Sequence, residues 1–210
     1  LIIIIILFSC ELSESEKRHD FNDLINKANE QLKIGKDYKA INFFNKAEKV
    51  SKSYELYLNR GIAFRHIKQN KKSINDLNIA INMDNKDYRA YYEMYFVYII
   101  MNNFNQALDF LDLTNKLMIE KNKMLFEYHR RRGQIFEELK DYENTLNEYD
   151  IEISLYKNDV PPYLIGDKGI ILYHLKKYKD SYEYLVKATD LYKDIMIDGP
   201  YFHYLDSLKS

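Results

Sequence analysis

Apolar residues recur three and four positions apart along most of the chain, with polar residues between them. This spacing places the apolar side chains on one face of an α-helix. Ala40, Phe44 and Ala47 form one such stripe, and short polar stretches, such as residues 68–72, separate one stripe from the next. The pattern predicts a series of amphipathic helices joined by short turns.

The helical pattern also repeats along the chain at intervals of 33 to 38 residues. The second half of each copy begins with a small residue, which a large apolar residue follows one helical turn later. Small residues let two helices approach closely, and a large side chain fills the gap between them. One helix pair cannot bury its apolar face alone, so the copies must stack. The second halves begin at Ala40, Ser73, Ala107, Thr145 and Ser181.

The first half of each copy carries a small residue of its own, with Tyr95 as the exception in the third copy. In chain order the small residues are Ala28, Gly61, Gly133 and Gly169.

This repeat resembles that of the tetratricopeptide repeat (TPR) family over residues 21–194. The resemblance implies an all-α fold, namely a right-handed α–α superhelix of about five helix pairs followed by a C-terminal capping helix. Residues 21–196 would then form the repeat domain, and residues 197–210 would hold the capping helix and the C-terminus. Most units lack the family's usual proline, and three positions depart from its pattern: Gln31, Tyr95 and Glu152.

Composition agrees with a helical chain. The 6 glycines and 3 prolines are too few for the frequent turns of an all-β sandwich or barrel. Hydrophobic residues make up 46% of the chain, which is enough for a packed core. The net charge of −1 gives no overall reason to bind nucleic acid, so we expect no nucleic-acid partner.

The first eight residues, Leu1 to Phe8, are almost purely aliphatic and precede Ser9 and Cys10. Such a run is typical of the h-region of a secretory signal peptide, and it is shorter than the roughly 20 residues that span a bilayer. We interpret residues 1–9 as a signal peptide whose basic n-region is missing from the sequence, which begins at Leu1.

Cys10 is the only cysteine, so it cannot form an internal disulfide. Leu7-Phe8-Ser9-Cys10 resembles the lipobox of bacterial lipoproteins, with Phe8 in place of the usual small residue. The resemblance implies cleavage before Cys10 and attachment of acyl chains such as palmitate, followed by a polar tether over residues 10–20. Several acyl chains make a stable membrane anchor. The alternative is an ordinary signal peptide with a coincidental cysteine.

No arrangement of residues points to catalysis. The sequence has no Gly-rich phosphate loop, and the neighbouring acids Glu137 and Glu138 point apart on a helix. We predict no metal, no cofactor and no enzymatic activity. The basic run of residues 129–132 is interpreted as a solvated face, with an anionic partner as the alternative. Five histidines show no ligand spacing: His19, His66, His129, His174 and His203.

In the TPR family the first helix of each pair lines a concave groove, and this implies a set of partner-binding residues. The groove would be apolar and aromatic in copies one to three and polar in copy four. The helical spacing of Tyr91, Tyr95 and Tyr98 predicts a core position for these three side chains. The predicted groove residues are Ile25, Asn29, Leu58, Ile62, Arg65, Arg89, Tyr92, Phe96, Ile99, Arg130 and Tyr173.

Some TPR proteins clamp a chaperone's C-terminal carboxylate with lysine, asparagine and arginine. Asn29, Asn59 and Arg89 occupy three of those places, but Ile25 and Glu93 replace the two other cations. Because Glu93 would repel a carboxylate, we expect a hydrophobic peptide segment in the groove instead. The alternative is that a neighbouring helix or the chain's own tether covers this surface.

These features together predict a membrane-anchored TPR lipoprotein of the bacterial cell envelope, which acts as a scaffold for a protein or peptide. The alternative function is a structural subunit of an envelope complex that binds through its convex or terminal surfaces. An enzyme ranks third because no catalytic group supports it.

Overall fold

The computed structural model describes residues 13–123, 127–156, 159–194 and 201–209. These residues form helices and no β-strand, which confirms the predicted all-α fold. The described part of the chain contains eleven helices: α1 (Glu14–Lys33), α2 (Asp37–Val50), α3 (Tyr54–His66), α4 (Asn70–Met83), α5 (Tyr88–Ile100), α6 (Phe104–Glu120), α7 (Tyr128–Glu138), α8 (Tyr142–Ser154), α9 (Pro162–His174), α10 (Tyr178–Asp194) and α11 (Phe202–Lys209).

The chain divides into two compact units, and the first unit ends at Lys121. It contains the helix pairs α1–α2, α3–α4 and α5–α6, which stack through contacts of α2 with α3 and of α4 with α5. The first helices of successive pairs also touch, α1 against α3 and α3 against α5. The first helices therefore form one layer of this unit.

The second unit starts at Asn122 and contains the pairs α7–α8 and α9–α10. Helix α8 packs on α9, and α11 packs on α10 as the predicted capping helix. Tyr201 and Leu205 from this C-terminal segment are buried against Ile165 and Leu185. Consecutive helix pairs thus build both units, as in TPR-like folds.

Each turn inside a helix pair contains one residue in the left-handed region of backbone conformation. The residue after it donates its backbone N–H to a carbonyl near the end of the first helix, as Gln69 does to Phe64 at 2.9 Å. These bonds satisfy carbonyls that a helix end would otherwise leave unpaired. The left-handed residues are Gly35 (φ 71°), Lys68 (57°), Asn102 (55°), Lys140 (59°) and Lys176 (60°).

The small residues of the repeat lie where the two helices of a pair cross. A Cβ atom added to Gly61 would lie 2.9 Å from Cγ of Leu77, and the equivalent distance from Gly169 to Leu185 is 2.8 Å. A serine in the first turn of the second helix donates to the same glycine, as Ser73 Oγ does to the Gly61 carbonyl at 2.8 Å. The close approach that the sequence predicts at these positions is confirmed.

The third and fourth pairs show how the contact adapts to larger residues. In the fourth, the Tyr149 ring lies directly on Gly133, where it fills the space that a Cβ atom would occupy. In the third, Tyr95 takes the small position and is buried, with its ring 4.8 Å from that of Phe96. Tyr91 is also buried, whereas Tyr98 is half-buried with its ring 5.3 Å from that of Phe110.

The start of the repeat region differs from the prediction. Helix α1 begins at Glu14, whereas we expected a polar tether up to residue 20. The reason is a capping box, in which the Ser13 side chain accepts from the Glu16 backbone N–H and the Glu16 carboxylate accepts from that of Ser13. Residues 14–20 are therefore an extension of the first helix. Cys10 and the predicted signal peptide lie outside the described residues.

Candidate functional site

The first helices of the first unit place eight predicted groove residues on one layer, which we call the α1–α3–α5 face. Because α3 touches both α1 and α5, side chains from neighbouring helices meet there in pairs. The eight residues are Ile25 and Asn29 on α1, Ile62 and Arg65 on α3, and Arg89, Tyr92, Phe96 and Ile99 on α5.

Asn29 and Asn59 join α1 to α3. The Asn59 side-chain amide donates from Nδ2 to Asn29 Oδ1 at 2.9 Å, and both residues are half-buried. Each amide has further donor or acceptor capacity, because an asparagine side chain offers two N–H donors and a carbonyl oxygen. This pair can contact a peptide bond, which needs one donor and one acceptor.

Arg65 and Glu93 join α3 to α5. Glu93 Oε2 accepts from Arg65 Nε at 2.8 Å and from Nη2 at the same distance. The Arg65 guanidinium also lies over the Phe96 ring, 5.2 Å from its centroid. Glu93, which we expected to repel a carboxylate ligand, thus neutralises the nearest arginine of the face.

Arg89 is held by two carboxylates. Its Nη2 lies 2.7 Å from Glu55 Oε1 and 2.7 Å from Asp87 Oδ2. Burial tends to raise the pKa of Asp87, but the hydrogen bonds and charge of Arg89 outweigh it and keep that pKa below its ordinary value. Because these two carboxylates neutralise Arg89, it is not available as the free cation that a carboxylate clamp needs at this position.

Aromatic rings form the centre of the face on α5. The Tyr92 and Phe96 rings meet edge-on at 4.7 Å, and the Tyr92 ring stacks on Tyr95 at 5.8 Å. Tyr95 is buried, whereas Tyr92 and Phe96 are half-buried. One turn further on, Ile99 is half-buried and Ile100 is exposed. The half-buried rings provide apolar area on a rigid helix.

The prediction for Leu58 is wrong, because this side chain is 2% exposed and belongs to the core cluster of the first unit. Helix α3 lies between α1 and α5, so both neighbours cover part of its surface. Ile25 and Ile62 are half-buried and pack against the same cluster. Fewer side chains of the α1–α3–α5 face are therefore accessible to a partner than the sequence predicts.

Two predicted groove residues, Arg130 and Tyr173, lie in the second unit. Arg130 pairs with Glu127 at 2.5 Å and lies over the Tyr163 ring, 5.5 Å from its centroid. The Tyr173 ring meets the Tyr204 ring of the capping helix at 5.6 Å. Arg130 and Tyr173 both make contacts within their own unit.

The basic run of residues 129–132 is not the solvated face that we expected. Arg132 Nε lies 2.8 Å from Glu148 Oε1, and His129 Nδ1 lies 2.8 Å from Glu148 Oε2. Arg131 pairs with Glu127 at 3.5 Å, and all four residues are half-buried. Acidic residues of the same unit therefore neutralise the positive charge of residues 129–132.

Sequence reasoning missed a buried network of charged residues in the first unit. Arg60 on α3 is buried and binds Asp76 on α4 and Glu48 on α2. The only feature of the sequence that indicates this ion pair is the position of its two residues. Arg60 directly precedes Gly61 and Asp76 directly precedes Leu77, and Gly61 touches Leu77 at the helix crossing.

The part of the chain that the structure describes shows neither a metal-binding cluster nor a helix that could span a membrane. No group of three or more histidine, cysteine, aspartate or glutamate side chains there could hold a metal ion. None of the described helices is both long and apolar enough to cross a membrane.

Comparison with known proteins identifies the fold. No protein-family profile and no curated protein matches the chain. A crystal structure of MamA aligns with a TM-score of 0.68 at 16% identity, over 82% of this chain and 92% of that chain. A structure of MamA from residue 41 onward, from Desulfovibrio magneticus RS-1, gives 0.70 at 13% identity, over 83% and 96%. Pseudomonas aeruginosa PilF gives 0.59 at 14% identity, over 82% and 78%.

These neighbours are TPR-type helical repeat proteins, so the fold of this chain is TPR-like. Identities of this size establish the fold, and the fold alone does not determine the partner.

Proposed function

We propose that this protein is an interaction scaffold that binds a hydrophobic peptide segment of a partner protein on the α1–α3–α5 face. The observation that carries the proposal is the combination of half-buried aromatic rings at Tyr92 and Phe96 with arginines that are already compensated. Apolar surface on a rigid element is typical of interaction sites, and aromatic residues contribute most to binding energy at such sites.

The polar groups of the face favour an internal peptide segment over a charged terminus. Arg65 and Arg89 are each bound to carboxylates, so a ligand carboxylate would have to displace Glu93, Glu55 or Asp87. The Asn29–Asn59 pair is uncharged and suits the peptide backbone. A neutral, extended and apolar segment would need no free arginine, and its backbone could bind the asparagine pair.

The test uses a Leu- and Phe-rich decapeptide with both termini blocked and a fluorescent label. Tyr92→Ala with Phe96→Ala should weaken binding at least tenfold, as measured by fluorescence anisotropy, while helicity and melting temperature stay nearly unchanged. Tyr38→Ala with Ile119→Ala is the matched control, because it removes two exposed apolar side chains elsewhere in the first unit. Undiminished binding by the first variant, or equal loss in the control, would refute this location.

We also propose that Cys10 anchors the scaffold to a membrane of the bacterial envelope through acyl chains. Ser13 caps the first helix, and it is the third residue after Cys10. At about 3.5 Å per residue, that segment reaches at most about 11 Å. The anchor would therefore hold the N-terminal end of α1 close to the lipid surface.

Metabolic labelling with an alkyne fatty acid tests the anchor. The wild-type chain should be labelled and should pellet with membranes, whereas Cys10→Ala should lose both properties. Equal labelling of the two chains would refute acylation at Cys10, without affecting the peptide-binding test.

A structural role in an envelope complex is the second candidate, because large apolar side chains are also exposed away from the α1–α3–α5 face. Tyr38 is 72% exposed, and Ile119 and Leu155 are each 60% exposed. If this role is correct, Tyr38→Ala with Ile119→Ala should disrupt co-purification of envelope partners, whereas Tyr92→Ala with Phe96→Ala should not.

A further inference from the structure

The turns inside the three helix pairs of the first unit lie along one edge of that unit. Helix α3 touches α1 and α5, so the turns that follow these helices are neighbours. A contact between the first two turns confirms this, because His66 Nδ1 at the end of α3 lies 2.7 Å from Asp37 Oδ1 at the start of α2. We call residues 33–39, 66–72 and 100–106 the turn edge.

The turn edge carries a large excess of positive charge. It contains six lysines and a single acidic residue, Asp37, which is half-buried and held by His66. All six lysines are exposed, and none is paired with a carboxylate in the part of the chain that the structure describes. The lysines are Lys33, Lys36, Lys39, Lys68, Lys71 and Lys72.

The equivalent turns of the second unit have a different charge. Residues 138–144 and 174–180 contain four lysines and four acidic residues, and Lys177 Nζ lies 3.8 Å from Glu143 Oε1. The turn between paired helices therefore does not require unbalanced lysines, and their excess is specific to the first unit.

Helix stability does not account for half of these lysines. Lys39 lies in the first turn of α2, and Lys71 and Lys72 lie in the first turn of α4. Because the N-terminal end of a helix carries a partial positive charge, acidic residues are favoured there and lysines are not. No acidic residue lies in the first turn of α4 or of α6. An acidic partner would supply the missing negative charge.

Apolar side chains are exposed among the lysines. Ile34 and Tyr38 are exposed in the first turn, and Ile100 and Met101 are exposed at the third. Packed helices lie about 8–10 Å apart, so three neighbouring turns span about 20 Å. An extended segment of about seven residues covers that distance. The turn edge thus offers both charge and apolar contacts over the length of a short peptide.

We propose that the turn edge binds an acidic segment of a partner protein. Its carboxylates would meet the lysines, and its apolar side chains would meet Ile34, Tyr38 and Met101. This surface differs from the α1–α3–α5 face and adds a second binding site to the scaffold.

The position of Cys10 favours a protein segment over anionic lipid, and this choice rests on the membrane anchor proposed above. Helix α1 has 20 residues and is therefore about 30 Å long. Because Cys10 precedes the N-terminal end of α1 and the turn edge lies at its other end, the lysines are far from the proposed anchor.

The test measures fluorescence anisotropy of a labelled decapeptide of alternating glutamate and leucine, with both termini blocked, against the full chain. Lys68→Gln with Lys71→Gln and Lys72→Gln should weaken binding about tenfold, because each exposed pair contributes a modest amount. Lys46→Gln with Lys49→Gln and Lys52→Gln is the matched control, since it removes the same charge from exposed positions at the other end of α2. This control should bind as the wild type does. Circular dichroism should show equal helicity in all three chains.

The two proposed sites can be distinguished with the same reagents. Tyr92→Ala with Phe96→Ala should bind the acidic peptide normally, and the variant at residues 68, 71 and 72 should bind the neutral Leu- and Phe-rich peptide normally. Absence of acidic-peptide binding by the wild type, undiminished binding by the lysine variant, or an equal loss in the control would each overturn the proposal.

Vesicles of phosphatidylcholine and phosphatidylglycerol in equal parts test the lipid alternative. The Cys10→Ala chain is used, so that no acyl chain contributes to binding. We expect these vesicles not to retain it. Retention that depends on Lys68, Lys71 and Lys72, without binding of the acidic peptide, would show that the turn edge binds a membrane instead.

Discussion

Arg60 and Asp76 form a two-point ion pair between α3 and α4, with Nε 2.7 Å from Oδ2 and Nη2 3.0 Å from Oδ1. Glu48 on α2 binds the other side of the same guanidinium, with Oε2 2.5 Å from Nη1. Arg60 also lies over the Tyr57 ring, 5.4 Å from its centroid. One buried arginine therefore links three successive helices across two helix pairs.

Arg60→Met should destabilise the protein strongly, because it leaves Asp76 buried without its partner. Breaking a buried ion pair from one side typically costs about 3–5 kcal/mol. Urea unfolding followed by circular dichroism measures the loss. Lys46→Met is the control on an exposed position of α2 and should stay within about 0.5 kcal/mol of the wild type. Equal stability of the two variants would show that the pair contributes nothing.

The helix pairs could be predicted because their contacts repeat at fixed spacing, as with Gly61 on Leu77 and Gly169 on Leu185. The Arg60 network could not, because its three charged residues have no such spacing and meet only in the folded chain. The burial of Leu58 could not be predicted for a related reason. Spacing within one helix gives the direction of a side chain, but α1 and α5 determine how much of α3 is covered.

Two glycine substitutions should differ in cost because their neighbours leave different amounts of space. Gly133→Ala places a methyl group where the Tyr149 ring lies, and such overpacking costs about 1–3 kcal/mol. Gly61→Ala places it 2.9 Å from Cγ of the buried Leu77, which requires a smaller shift. Each alanine also gains up to about 1 kcal/mol in helix propensity, which offsets part of its cost. Thermal unfolding should therefore show a larger loss for Gly133→Ala than for Gly61→Ala. A larger loss for Gly61→Ala would contradict this packing.

Lys68→Gly and Lys140→Gly should each stabilise the protein. Both lysines adopt left-handed backbone conformations, with φ of 57° and 59°, which cost an L-residue about 1–2 kcal/mol. Glycine removes that cost but loses more conformational entropy on folding, so we expect a net gain of about 0.5–1 kcal/mol. Lys116→Gly, at an exposed position inside helix α6, should instead lose about 1 kcal/mol. Chemical denaturation distinguishes these signs, and a loss at both turn positions would be inconsistent with strain there.

Stability should fall in mild acid partly through Glu48. Hydrogen bonds from Arg60 hold the pKa of Glu48 below its ordinary value. A depressed pKa contributes stability that is present above the ordinary value and lost as pH falls through the folded value. Melting temperatures between pH 7 and pH 3 should therefore fall less steeply in Glu48→Gln than in the wild type. Glu120→Gln, at the exposed end of α6, should follow the wild-type curve, and identical slopes for all three would rule out this contribution.

The last prediction concerns the difference between this face and a carboxylate clamp. Glu93 binds Arg65, and Glu55 with Asp87 binds Arg89, so the wild type should not discriminate between the free-acid and amidated forms of one hydrophobic peptide. Ile25→Lys with Glu93→Lys adds two cations and releases Arg65.

Charge-assisted hydrogen bonds should then favour the free acid by about tenfold, or about 1.4 kcal/mol. Ile25→Gln with Glu93→Gln controls for the loss of the original side chains and should gain less than the lysine variant. Fluorescence anisotropy with both peptide forms measures the ratio. A wild-type protein that bound only the free acid would show that Arg65 and Arg89 act as a clamp despite their carboxylate partners.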